Sequence, residues 1–432
     1  MKKFFAFIFI LTSNYGNAQT PLANNTVRVN QQRIEGRIFE LAKFGKDSIG
    51  KSNRVAFSKA DQQGRAYFIG LMKKAGLEVN IDYAGNIIGK RKGKYPDKKP
   101  IAFGSHIDMV PDGGNYDGCV GSFGALEVME VLQENKVVTE HPLELIIFAD
   151  EEGGVIGSSA LAGQFKPDAL EVVSHSGLTI KEGIKAIGGN PDSLGQVSRK
   201  SGDLADYLEL HIEQGGILEE EKIQIGVVEG IVGFEDWEVV VEGFANHAGT
   251  TPMNKRQDAL LAASKFIIAV NEVITASEGR QVGTVGKISA SPGASNVIPG
   301  RVVLSLEIRD LSHEKILKLF SDIEQRAAGI STSSNTRISF RNLNVGAMPA
   351  IMNTVIRNNI IASAKMLGYS YTSMPSGAGH DAQEMSRLAP TGMIFVPSIG
   401  GISHSPKEFT RAADMANGAN VLLQTILLLD KN

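Results

Sequence analysis

Five short stretches of the chain carry side chains that bind divalent cations, each in a glycine-rich turn or near the end of an apolar run. They are Gly104-Ser-His106-Ile-Asp108, Asn115-Tyr-Asp117-Gly118, Glu151-Glu152-Gly-Gly, His211-Ile-Glu213-Gln214 and Ser403-His404-Ser405-Pro. Imidazole mixed with carboxylate suits zinc, manganese or cobalt better than a thiolate set would. The candidates spread over about three hundred residues, whereas structural zinc modules keep their ligands close together in sequence. The pattern therefore points to an enzyme site assembled by folding.

The spacing suggests a division of labour. His106 and Asp108 lie two apart after an apolar run, so the imidazole can ligate while the carboxylate behind it fixes tautomer and ring orientation. Asp117, in a tight turn, can bridge two cations. Glu151 and Glu152 are adjacent, and adjacent side chains in extended backbone point to opposite sides. One can ligate while the other faces substrate as a proton shuttle. With His211 and His404 there are five ligands; sharing Asp117 gives two metals three protein ligands each, with open positions for water. His247, in Asn246-His247-Ala-Gly-Thr-Thr-Pro, and Asn296 lie in a different part of the pattern. A histidine there can close over a site and donate to a developing oxyanion. Arg309 ends the run LSLEIRD, where a guanidinium can hold a carboxylate through two parallel hydrogen bonds; the plainer reading is an ion pair with Glu307 or Asp310. His380 follows the glycine-rich loop Ser376-Gly-Ala-Gly379 and is placed behind the site or against substrate, not among the ligands. Cys119 is the sole cysteine, which excludes an intramolecular disulfide; it reads as a small buried residue.

Strands ending in apolar runs must position these groups. Buried strands are expected at 100–105 and 143–149, with helical spacing at 121–134 between them: a crossover in an α/β sheet. Ligand sites in such sheets lie beyond the carboxyl ends of the strands, where His106, Glu151 and Glu152 fall. Residues 33–77 read as mostly helical, broken at Gly64-Arg65 before Ala66, and 183–203 as a surface excursion. A strand at 207–213 carries His211. From about 233 the order becomes strand (237–241), helix (258–278), strands (281–289 and 302–310), helix (313–328) and strand (337–345), a ferredoxin-like split βαβ pattern. Helix 354–367 and strand 393–396 then resume the earlier character. The expected architecture is α/β: a discontinuous metal-binding domain, 28–232 and 346–432, with a central mixed sheet flanked by helices, and an inserted α+β lid domain at 233–345.

Of 432 residues, 42% are hydrophobic and 21% charged, an ordinary globular composition. A net charge of −3 gives no electrostatic reason to expect nucleic acid or an anionic membrane as partner. Residues 1–18 read as a secretory signal peptide. Lys2-Lys3 precedes the apolar run Phe4 to Leu11, and Gly16-Asn17-Ala18 places small residues before a cut at Gln19. The mature protein is expected to be exported, periplasmic or secreted, with no later segment apolar and long enough to anchor it in a membrane.

The stretches GSHIDMVPDGGNYDG, FADEEGG, LELHIEQG, NHAGTTPM, SNVIPG, GAGHDA and GISHSP occur in this order. They resemble the amidase/hydantoinase/carbamoylase branch of the co-catalytic metallopeptidase and aminoacylase family, from about residue 30 to the end. That branch includes hydrolases of N-carbamoyl-L-amino acids, allantoate and β-ureidopropionate. The resemblance implies hydrolysis of a linear C–N bond in a small ureido or amide substrate bearing a carboxylate, with two divalent cations per subunit (zinc, or manganese or cobalt). His106 and His211 would hold one metal and Glu152 and His404 the other, with Asp117 bridging and Glu151 as general base and then acid. His247, Asn296 and Arg309 would reach the substrate from the lid, and Gln214 would border the pocket. It also implies a homodimer made through the lid, whose histidine can serve the partner's site. The acidic loop Gly233-Phe-Glu235-Asp236-Trp237 argues against allantoate. A peptidase or N-acyl-amino-acid hydrolase on the same scaffold is the alternative. A non-catalytic binding protein is disfavoured, because all five ligands and Glu151 are present.

Overall fold

The computed structural model describes residues 27–46 and 51–431, so the signal-peptide reading at 1–18 lies outside the described residues. A central sheet has the strand order Glu78–Ile81, Ile87–Arg91, Leu143–Phe148, Ile101–His106, Asp206–Ile212, Thr391–Val396, Ile225–Ile231, Ala350–Ile351, and Tyr371–Ser376 also pairs with Ile225–Ile231. The four inner strands, from Leu143–Phe148 to Thr391–Val396, run parallel. Antiparallel neighbours flank them on both sides, so the sheet is mixed. Runs such as Leu145-Ile-Ile-Phe148 are buried on both faces, as parallel strands covered by helices require. Because these strands are parallel, their carboxyl ends share one edge of the sheet.

Helices Gln31–Leu41, Cys119–Glu134, Thr354–Leu367 and Ala412–Leu429 pack together on one face. Their core includes Phe103, Phe123, Leu145, Leu210 and Ile394. The opposite face is covered by the shorter helices Ile156–Leu161, Ile180–Ala186 and Asp381–Met385 over Ile146, Phe148, Tyr207 and Phe395. Helix Cys119–Glu134 comes unusually close to the sheet: a Cβ on Gly121 would overlap the Leu210 carbonyl. That approach sets the helix start, and the Asp117 turn before it, beside the ends of the strands.

A second sheet has the order Ile288–Ser291, Arg301–Asp310, Gly233–Glu242, Arg337–Asn342, and Val282–Thr284 also pairs with Arg301–Asp310. Helices Ala259–Ala276 and His313–Ser334 cover one face, over Trp237, Phe266, Leu306 and Ile316. Trp237, Val239 and Val241 turn inward from Gly233–Glu242, while Glu238 and Val240 face out, the period of a half-buried strand.

Three expectations need correction. Helix Lys59–Lys74 runs without a break through Ala66. The interruption comes earlier, and the helix begins at Ser58, whose side chain accepts the Asp61 N–H. Gly64 leaves room for the buried Arg54 side chain and does not break the helix. The strand expected at 281–289 is two, Val282–Thr284 and Ile288–Ser291. Finally, Ala259–Ala276 and Ala412–Leu429 do have the length and apolarity of membrane spans. Each is a core helix: Phe266 and Val270 face the second sheet, and Leu422 and Ile426 pack into the first core.

Candidate metal centre

The four inner strands deliver the candidate ligands to one place. His106 is the last residue of its strand, and His211 precedes the last residue of Asp206–Ile212. Glu151 and Glu152 follow Leu143–Phe148, and His404 lies in the loop after Thr391–Val396. Asp117 sits at the centre. Its Oδ1 is 3.4 Å from His106 Nε2 and 3.1 Å from His211 Nε2. Its Oδ2 is 3.6 Å from His404 Nε2, which is itself 3.4 Å from Glu152 Oε2. One carboxylate thus presents one oxygen to each of two donor sets: His106 with His211, and Glu152 with His404. Glu151 stands apart from these ligand sets, with Oε2 3.7 Å from His106 Nε2.

The ring orientations suit ligation. His211 Nδ1 is 2.9 Å from the Ile212 carbonyl, and His106 Nδ1 is 3.2 Å from the Asp108 carbonyl. A carbonyl oxygen only accepts, so each Nδ1 carries a proton, and each Nε2 is the ring nitrogen turned toward Asp117, where a cation would take the place of a second proton. Asp108 adds a second tie: Oδ1 lies 3.5 Å from His106 Nδ1, and Oδ2 accepts the Glu152 N–H at 3.2 Å. Gly118 takes φ +62°, and a Cβ there would strike the His106 ring; only glycine fits this turn.

The electrostatics leave a gap that a cation fits. His106 Nε2 and Glu152 Oε1 are buried without a hydrogen-bond partner, although buried polar atoms are ordinarily paired. Burial, with Asp381, Glu152 and Asp117 nearby and only His106 opposing, pushes the Glu151 carboxyl well above the usual range. Burial and Asp117 raise Glu152 to about 7. Burial alone would raise Asp117 too, but His211, His106 and His404 hold it well below. The Asp117 carboxylate beside it lifts His404 to about 9. A crowded acidic cluster faced by unpaired imidazole nitrogen is a donor set for borderline divalent ions.

The other expected residues fall into two groups. A cleft of about 350 Å³ is lined by Asp117, Glu151, Glu152, Gln214, His380 and His404, among others. Gln214 Nε2 donates to Asp117 Oδ2 at 2.6 Å. His380 is buried, 2.8 Å from Ser376 Oγ, with its ring 4.4 Å from that of His211. Burial and His211 hold it well below the usual imidazole value, so it backs the site as a neutral ring. His247, Asn296 and Arg309 are not among the cleft's walls. His247 is exposed on the short strand Asn246–His247; its Nδ1 accepts the Gly249 and Thr250 N–H groups, which leaves Nε2–H free to donate outward. The Asn296 carbonyl accepts the Ala248 N–H beside it. Arg309 makes the Glu307 ion pair, with Nε at 2.7 Å and Nη2 at 2.9 Å. Its Nη1 donates to the Gly377 carbonyl at 2.9 Å, at the loop that leads into His380. Cys119 is buried, and burial pushes its thiol up, which suits an inert core residue. Sequence reasoning missed Glu408 and Ser403, which hydrogen-bond around Asp117; both lie within or beside the His404 motif, the only local signal for them.

The model for peptidase family M20/M25/M40 matches residues 102–428. The N-carbamoyl-L-amino acid amidohydrolase of Geobacillus stearothermophilus is 40% identical over 400 residues, covering 91% of this chain and 97% of that protein. The ureidoglycolate hydrolase of Arabidopsis thaliana is 36% identical over 418 residues, covering 94% of this chain and 88% of that protein. Among solved structures, a hydantoinase/carbamoylase family amidase from Burkholderia multivorans is similar with a TM-score of 0.88 at 33% identity, over 94% of this chain and 100% of that one. Likeness of this extent over nearly the whole chain shows the family: the chain belongs to peptidase family M20/M25/M40, within its amidase/hydantoinase/carbamoylase branch, and is a metal-dependent hydrolase of carbon–nitrogen bonds.

Proposed function

We propose that the protein hydrolyses the linear C–N bond of an N-carbamoyl-L-amino acid or a related ureido acid, with two divalent cations (zinc, or manganese or cobalt) held around Asp117. The observation that carries the reading is the pair of donor sets sharing that carboxylate, with Glu151 left outside both ligand sets. His106 and His211 hold one ion, and Glu152 and His404 the other. Ions bound there supply Lewis acidity toward the scissile carbonyl and make water acidic enough to attack near neutral pH. Glu151 accepts the proton of the attacking water and returns it to the leaving nitrogen; a carboxyl raised by burial is matched to both transfers. His247 donates its Nε2–H to the developing oxyanion. A carbamoyl substrate gives the free amino acid, carbon dioxide and ammonia, with one water consumed in breaking the C–N bond.

In this reading residues 28–232 and 346–432 form the catalytic domain, and 233–345 form a ferredoxin-like lid that also makes a homodimer. The order of the second sheet supports this: its edge strand Arg337–Asn342 pairs next to Gly233–Glu242, as in a split βαβ unit. The lid brings His247, Asn296 and Arg309 to the substrate, through closure or from the partner subunit. The proposal includes export after removal of residues 1–18. The experiment is ammonia release by the metal-reconstituted protein from a panel of N-carbamoyl-L-amino acids, ureidopropionate, allantoate and, by amine detection, dipeptides and N-acyl amino acids. Carbamoyl or ureido acids are expected to have the highest kcat/KM; faster cleavage of dipeptides or acyl amino acids would move the reading to a peptidase or acylase.

Arg309→Ala is expected to raise KM for carboxylate-bearing substrates about tenfold or more, with kcat changed less, because it removes a charge-assisted pair made in ground and transition states alike. An equal loss with the amide of the same substrate would show that Arg309 only braces Glu307 and the Gly377 loop.

A further inference from the structure

Glu408 lies four residues beyond His404 and is only 4% exposed. Its Oε1 accepts two backbone N–H groups of the Asp117 turn, from Tyr116 at 2.8 Å and Asp117 at 3.0 Å. Its Oε2 accepts the Ser403 hydroxyl at 2.8 Å, and the same hydroxyl lies 3.0 Å from Asp117 Oδ2. A Cβ on Gly114 would collide with the Glu408 carboxyl, so the turn is closed around this side chain. Tyr116 and Phe409 meet edge to face at 5.4 Å, an apolar contact between the same two segments.

The two donor sets differ in how they are anchored. His106 and His211 sit on buried strands of the sheet. His404 sits on a loop, in the left-handed region at φ +52°, with a side chain 49% exposed. Nothing in a loop conformation alone holds such a ring against Asp117. We infer that Glu408 is a positioning residue that locks the His404 loop to the Asp117 turn, and so sets the geometry of the Asp117–Glu152–His404 set more than that of the His106–Asp117–His211 set, whose two imidazoles stand on the sheet. The inference rests on the two-ion reading given above.

The test is competition titration of the apo-protein with Zn²⁺ against a chelating indicator, which resolves two dissociation constants. In Glu408→Ala the weaker-anchored ion, ligated by His404, is expected to lose about 10–100-fold in affinity, the range for groups that orient ligands, while the other, which shares only Asp117 with the tether, loses markedly less. Glu408→Gln keeps an oxygen for the two N–H groups and is expected to recover most of that loss. Ser403→Ala, which leaves the buried carboxylate in place, should show the same selectivity at smaller size and serves if Glu408→Ala does not fold. Equal weakening of both ions in Ser403→Ala and Glu408→Gln, or no change in any variant, would overturn the assignment. Wild-type protein that binds a single ion would sink the two-ion reading itself; a drop in that ion's affinity in the variants would still report on the tether.

Discussion

Glu151→Gln is expected to lower kcat by about three orders of magnitude, within the range that a positioned proton shuttle supplies, while bound metal stays at the wild-type stoichiometry. Glu151 stands outside the two three-residue donor sets around Asp117, yet its Oε2 lies 3.7 Å from His106 Nε2 and it lines the cleft. Glutamine keeps the shape but cannot take or return a proton. Metal analysis after dialysis, beside steady-state rates, checks both halves. Loss of metal with full occupancy restored by excess ion would show that Glu151 and Glu152 had been assigned to each other's roles.

Asp117→Ala is expected to strip both ions and reduce activity below detection. Each carboxylate oxygen serves a different set, Oδ1 toward His106 and His211 and Oδ2 toward His404. The substitution therefore acts on both sites at once, and its effect on affinity should exceed the about 10–100-fold typical of groups one shell out. The measurement is metal content against His404→Ala, which should empty only the Glu152 side. An Asp117→Ala protein that kept one ion at wild-type affinity would end the case for a shared carboxylate.

That the candidate donors would meet was legible largely because they obey a simple rule. His106 and the Glu151-Glu152 pair end apolar runs, and parallel strands bring such ends to one edge. Helix Thr354–Leu367 was equally plain, since Asn353 caps its start and Gly368 takes the left-handed position after its end. What stayed hidden has physical causes. Strand Glu78–Ile81 is a half-exposed edge with alternating Glu and Asn, and its polarity mimics a loop. Arg54 reads as a surface cation, yet it is fully buried, with Nε donating to the Ile107 carbonyl. Glu408 has Ser403 close by, but the two backbone N–H groups it holds lie almost three hundred positions away, so no window of sequence contains them together. Arg309 illustrates a true ambiguity: the run LSLEIRD offers Glu307 on the same strand face two residues earlier, and that pair forms, whichever other group the guanidinium also meets.

Strand Thr391–Val396 lies inside the main sheet, between Asp206–Ile212 and Ile225–Ile231. During synthesis, therefore, the nascent chain must carry two unpaired strand edges until Thr391–Val396 has emerged, a hazard for mispairing with neighbouring chains. The 233–345 segment has all its own strands in one stretch and can close while the ribosome is still at work. Truncated translation products would retain His106 and His211 but neither the wedge that seals the sheet nor His404. The Asp117–Glu152–His404 set therefore closes only after His404 has joined the chain.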